Sequence, residues 1–131
     1  MIFVDTSVWV AALRQASALE ADQLRALLDQ DQVALAAPVR VELLAGASKR
    51  DRPLLLRAFS ALPVYYPDED TWQRIEQWLE LATEAGERFG FGDLLIGAIA
   101  AQQQAPIWSQ DRDFERMDRL GLLKRYQPDP T

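Results

Sequence analysis

The chain contains no cysteine and no histidine. Without cysteine there is no disulfide, no thiolate nucleophile and no cysteine-based zinc site. Without histidine there is no Ser-His-Asp hydrolysis, no imidazole acid–base catalysis and no imidazole ligation of a metal. Demanding chemistry then falls to carboxylates, hydroxyls, Lys, Arg, Tyr or a bound cofactor. Oxygen ligands would suit Mg2+ or Mn2+ over zinc. Long apolar runs are missing too. The most apolar stretch, Leu94 to Ala101, is too short to span a bilayer. The opening residues carry no signal-peptide pattern, and a soluble cytoplasmic protein is expected. Positive charge is scarce: 14 Lys and Arg stand against 20 Asp and Glu, a net charge of −6. Composition therefore does not advertise nucleic-acid binding. A cluster of catalytic acids would itself lower the net charge, and a bound metal would offset part of it.

What is present is ordinary globular material. The 131 residues are 49% hydrophobic and 26% charged. That fits one domain, residues 1–131, with a core large enough to stand without staples. Ile2-Phe3-Val4 reads as a buried parallel strand, followed by a helix from about Val8 to Arg14. An amphipathic helix is predicted over 18–31, a strand over Val33 to Ala36, and a helix from Pro38 to about Gly46. Further helices are predicted over 51–61 and from Asp68 to Glu87, with a short strand at Val64-Tyr65-Tyr66 between them. Asp93 opens a nearly all-apolar helix ending before Pro106. Then come a strand at Ile107-Trp108, a helix from Asp113 to Leu120 stopped by Gly121, and a last strand from Leu122 to Tyr126 before a Pro-rich tail. Strands alternating with helices imply a parallel α/β sheet with helices on both faces. Sites in such sheets gather beyond the carboxyl ends of the strands.

Four acids stand at or near such points. Asp5 directly follows the first strand. Glu42 shares a helix face with Val39 and Gly46. Asp93 stands at the start of a helix whose next turns bring Ile96, Gly97 and Ala100 beneath it. Asp111 follows Ile107-Trp108-Ser109-Gln110 in a polar turn. Each has a plain alternative. Asp5 and Asp93 serve equally as helix caps, Glu42 as a surface glutamate, Asp111 as a turn residue, and Asp113 as the cap of the last helix. Carboxylates converging on one sheet edge would take up protons or a cation. Mg2+ held by carboxylates keeps several waters and engages phosphate. A histidine-free site hydrolysing phosphodiesters would need that arrangement.

The blocks Ile2-Phe3-Val4-Asp5-Thr6-Ser7-Val8-Trp9, Pro38-Val39-Arg40-Val41-Glu42-Leu43-Leu44-Ala45-Gly46, Gly92-Asp93-Leu94-Leu95-Ile96-Gly97-Ala98 and Trp108-Ser109-Gln110-Asp111-Arg112-Asp113-Phe114 occur in this order. Together they resemble PIN domains, specifically the VapC-like toxins of toxin–antitoxin pairs, over essentially the whole chain. The resemblance implies a three-layer α/β/α sandwich with a short, mainly parallel central sheet. It implies endonucleolytic RNA cleavage (tRNA, rRNA or mRNA) dependent on Mg2+ or Mn2+, with water as the nucleophile. By position it makes Asp5, Glu42, Asp93 and Asp111 the metal-site acids and Asp113 a supporting ligand. Thr6, Ser7 and Ser109 become hydroxyls that orient the acids or a bound water. It also implies a homodimer and a cognate VapB-like antitoxin. The chain departs from the family in placing Phe91-Gly92, rather than a small non-glycine residue, before the third acid.

Two basic groups are candidates for phosphate contact: Lys49, Arg50, Arg52 and Arg57, and then Arg112, Arg116, Arg119, Lys124 and Arg125. A solvated helix face explains them equally. Trp9, Trp72, Trp78 and Trp108 read mainly as core or dimer contacts, with base stacking the other possibility. Three other function classes compete. A haloacid-dehalogenase-like phosphatase would want an acid where Ser7 stands. A receiver-like module would want paired acids beside Asp5. A catalytically silent PIN-like binding module would keep the fold without the chemistry.

Overall fold

The computed structural model of the chain describes residues 1–15 and 18–128; positions 129–131 of the Pro-rich tail lie outside these. Four short strands, β1 (Ile2–Val4), β2 (Val33–Ala36), β3 (Val64–Tyr65) and β4 (Ile107–Trp108), form one parallel sheet in the order β3-β2-β1-β4. Among the described residues six helices connect them, α1 (Thr6–Arg14), α2 (Leu19–Asp29), α3 (Ala37–Gly46), α4 (Arg52–Phe59), α5 (Glu69–Glu84) and α6 (Phe91–Gln102), and a seventh, α7 (Arg112–Arg119), follows β4. The first two crossovers step from β1 to β2 to β3. The third turns back over both and lands on the far side of β1. Right-handed crossovers then put α1–α4 on one face and α5–α6 on the other, the expected three layers. No described helix is long and apolar enough to cross a membrane.

The strands are continuous apolar runs because both faces are covered. Phe3, Val4, Leu35 and Ile107 are fully buried in the sheet. Helix α6 is the most enclosed, with Leu94, Ile96, Gly97, Ala98, Ile99 and Ala100 all buried. Gly97 permits this. A Cβ there would lie 2.9 Å from Leu123 Cδ2 and 3.3 Å from both Met117 Sδ and Trp78 Cζ3. Trp9, Trp78 and Trp108 belong to the core. Trp72 does not: it is 43% exposed and stacks on Phe91, itself 64% exposed.

Several boundaries differ from the sequence reading. Helix α1 begins at Thr6, directly after Asp5, rather than at Val8. Helix α5 stops at Glu84 rather than Glu87, because Gly86 takes the left-handed conformation (φ 73°) that ends helices. Gly121 does the same after α7 (φ 77°), as expected. Asp93 is not a cap. Gly90 is the N-cap of α6, and Asp93 is its third residue, because Phe91 and Gly92 already adopt helical geometry. Asp113 does not cap α7 either. Asp111 does, and Asp113 lies in the first turn with its N–H donating to Asp111 Oδ1 at 2.9 Å. The last strand shrinks to one parallel bridge between Arg125 and Ile107, since β4 offers only two residues to pair with.

Candidate metal centre

The carboxyl ends of two adjacent strands, β1 and β4, build the site. The Asp5 N–H donates to the Trp108 carbonyl at 2.9 Å, which extends the β1–β4 ladder by one step. Asp5 is 4% exposed and N-caps α1. A buried carboxylate needs donors, and two hydroxyls supply them. Ser7 Oγ donates to Asp5 Oδ2 at 2.9 Å and Ser109 Oγ donates to the same oxygen at 2.7 Å. Each hydroxyl in turn accepts a backbone N–H from the turn after β4: Gln110 to Ser7 at 3.0 Å, Asp111 to Ser109 at 2.9 Å. The two serines thus fasten that turn to the end of β1, and among the described residues their hydrogen bonds fall on Asp5 Oδ2 and leave Oδ1 aside.

The same turn carries Asp111 and Asp113 toward Asp93 on α6. One oxygen from each of these three acids lies within 4.8 Å of the others. Crowding has electrostatic consequences. Burial pushes the Asp93 carboxyl up to about 8, with added contributions from its hydrogen bond to Asp113 and from the charges of Asp111 and Asp5. Burial also pushes Asp113 up, but hydrogen bonds from Arg116 and Asp93 outweigh it, and Asp113 stays below the ordinary carboxylate range.

Glu42 stands apart from the three. It is exposed on α3 and accepts a hydrogen bond from Thr6 Oγ1 at 2.9 Å. It borders the site through Thr6, the neighbour of Asp5, without joining the cluster. The donor set fits a hard divalent cation: all ligand atoms are carboxylate oxygens, and one acid holds a proton that a cation would displace.

Two participants escape the sequence reading. Arg116 binds Asp113 and Glu87, so it neutralises acids instead of waiting for phosphate. The spacing of three between Asp113 and Arg116 signals their contact; nothing local signals Glu87. Arg119 and Arg125 are likewise engaged, by Glu115 at 3.6 Å and Asp118 at 3.3 Å. Of that basic group, Arg112 and Lys124 make no ion pair among the described residues.

Known proteins resemble this chain along nearly its whole length. The PIN domain family model matches residues 2–120. The "VapC ribonuclease Mb1587" of Mycobacterium bovis is 31% identical over 129 residues, covering 95% of this chain and 96% of the relative. Among solved structures, VapBC2 from Rickettsia felis, bound to a DNA fragment from its promoter, superposes with a TM-score of 0.77 at 20% identity, covering 98% of this chain and 100% of that one. VapBC-5 of the Mycobacterium tuberculosis VapBC family of toxin–antitoxin systems gives a TM-score of 0.66 at 27% identity, covering 95% and 97%.

Proposed function

Given that the chain belongs to the PIN domain family, we propose that it is a Mg2+- or Mn2+-dependent endoribonuclease, the toxin of a toxin–antitoxin pair. The observation that carries this reading is the convergence of Asp93, Asp111 and Asp113 beside a buried Asp5. Asp93, Asp111 and Asp113 are the residues that would hold the cation, with Asp5 Oδ1 turned free of its serines to join them. A divalent ion supplies Lewis acidity to a phosphodiester and lowers the pKa of water.

The chain's own residues do the rest. Ser7 and Ser109 fix Asp5 in one orientation. Asp93, whose proton burial holds, would have to give it up to act as a ligand. Glu42, held by Thr6, marks the border of the site on the α3 side, where it can take a proton from water or orient it. The basic residues Lys49, Arg50 and Arg57 form no ion pair among the described residues and are the candidates for phosphate contact. The whole chain, 1–131, acts as one domain. The substrate is RNA, in keeping with the relative's name of ribonuclease, and the tRNA, rRNA and mRNA classes are the ones to test. The partner is a VapB-like antitoxin, in keeping with the VapBC complexes among its structural neighbours; the working form we propose is a cytoplasmic homodimer.

Incubating the purified chain with tRNA and rRNA tests the reading. Cleavage is expected with Mn2+ or Mg2+ and none with EDTA. Asp93→Asn should lower the rate at least about a hundredfold, as loss of several kcal/mol of charge stabilisation requires. Intact RNA across both substrate classes with metal-loaded wild-type protein would overturn it.

A further inference from the structure

Arg116 is not an acid of the site, yet it is built into it. Its guanidinium donates to Asp113 one turn back on α7, to Glu87, and to the Arg88 carbonyl at 3.1 Å. Its Cζ lies 4.8 Å from the centroid of the Phe89 ring. Apart from Asp113, every partner belongs to the stretch 87–89 that leads from α5 into α6. The backbone of Gly90, the N-cap of α6, also helps to hold the Asp113 carboxyl below its ordinary range. One planar cation therefore ties together the two segments that deliver the acids. One is α7, capped by Asp111 and carrying Asp113. The other is the entry to α6, which carries Asp93 three residues beyond Gly90. The side chain is 30% exposed, so these contacts are partly shielded from water.

We infer that Arg116 is a positioning residue of the metal centre, which fixes the Asp113 carboxylate and the approach to α6 so that Asp113 and Asp93 face one cation. This rests on the metal-dependent reading of the site. The fork of the guanidinium is what the geometry uses. A lysine carries the same charge on one point and cannot reach two carboxylates, a carbonyl and a ring face together.

The sign of the effect separates positioning from simple charge. As a bare positive charge, Arg116 repels a divalent cation, and its removal would tighten binding. As a positioning residue, its removal loosens binding, because Asp113 and the 87–90 stretch lose their fixed relation. Groups that orient metal ligands typically contribute about 10- to 100-fold in metal affinity.

The test is Mn2+ titration by calorimetry of the full chain, stripped with EDTA and without RNA. Arg116→Gln and Arg116→Lys should each weaken Mn2+ binding about tenfold or more, and Glu87→Gln should weaken it less. Arg119→Gln, in an exposed pair on the same helix, should leave it unchanged. Circular dichroism and urea unfolding check each variant. If Arg116→Gln does not fold, Arg116→Lys and Glu87→Gln carry the same comparison. Unchanged or tighter Mn2+ binding in the folded Arg116 variants overturns the inference, as does an equal loss in Arg119→Gln. Failure of the wild-type chain to bind Mn2+ overturns the metal-dependent reading itself, and this inference with it.

Discussion

Asp93 shows how much one carboxyl group can say. Its burial and its acidic neighbours hold its proton up to about pH 8, against an ordinary value of 3.8. Between those values the folded chain binds more protons than the unfolded chain, so stability falls as pH rises. The lowered Asp113 works the other way, but its effect lies at and below the ordinary carboxylate range. The chain has no histidine, so little else titrates in the window. The metal-free protein should therefore melt at a lower temperature at pH 8.5 than at pH 5.5. Saturating Mn2+ should flatten or reverse that slope, because the cation replaces the proton. A thermal scan across pH with and without Mn2+ checks this, and a level metal-free profile would contradict it. Such a pattern was half legible in the residues themselves. The apolar run after Asp93 announces a buried charge that needs a partner. That the partner is a set of further acids is not written locally, because Asp111 and Asp113 arrive from another strand end.

Helix α6 was the easiest element to read and is the least tolerant. Its apolar residues run all the way round, which means burial in any fold. The role of Gly97 was not legible, since its three close neighbours come from α5, α7 and the segment after α7. Gly97→Val would drive a branched side chain into Leu123, Met117 and Trp78. Overpacking of this kind costs about 1–3 kcal/mol, and urea unfolding should show a loss of that size. A change below about 0.5 kcal/mol, the ordinary range for surface substitutions, would mean that the three side chains yield freely. The end of α7 was legible at Gly121, whereas the equally left-handed Gly86 was passed over and α5 was read three residues too long. The start of α7 was misread because two acids compete for one cap. Asp111 wins over Asp113 because Ser109 already holds the Asp111 N–H, and this fixes the turn one step earlier.

At the scale of the whole molecule, the alternation of strands and helices was enough to give the parallel sheet and its layers. The positions of the acids at strand ends followed from it. Long-range pairings were beyond it, and so were the bonds of Arg116 to Glu87, 29 residues away. The exposed Trp72–Phe91 stack is a whole-molecule feature as well, since its two rings come from separate helices. A second copy of the chain could cover these rings in the proposed homodimer. Analytical sedimentation at micromolar concentration should show a dimer, and a monomer there would sink that part of the proposal.

The strand order carries one more consequence, and it concerns time. β1, made first, lies in the middle of the sheet, and its second neighbour β4 is made last of the four. Asp5 emerges from the ribosome early and waits for Asp111 and Asp113. At about 5–20 residues per second, that wait is on the order of 5–20 s. During translation no shorter nascent chain holds the complete set of acids, so the site comes into being only when α7 closes against α6. A chain interrupted before Asp111 carries the first acid and the third but no centre.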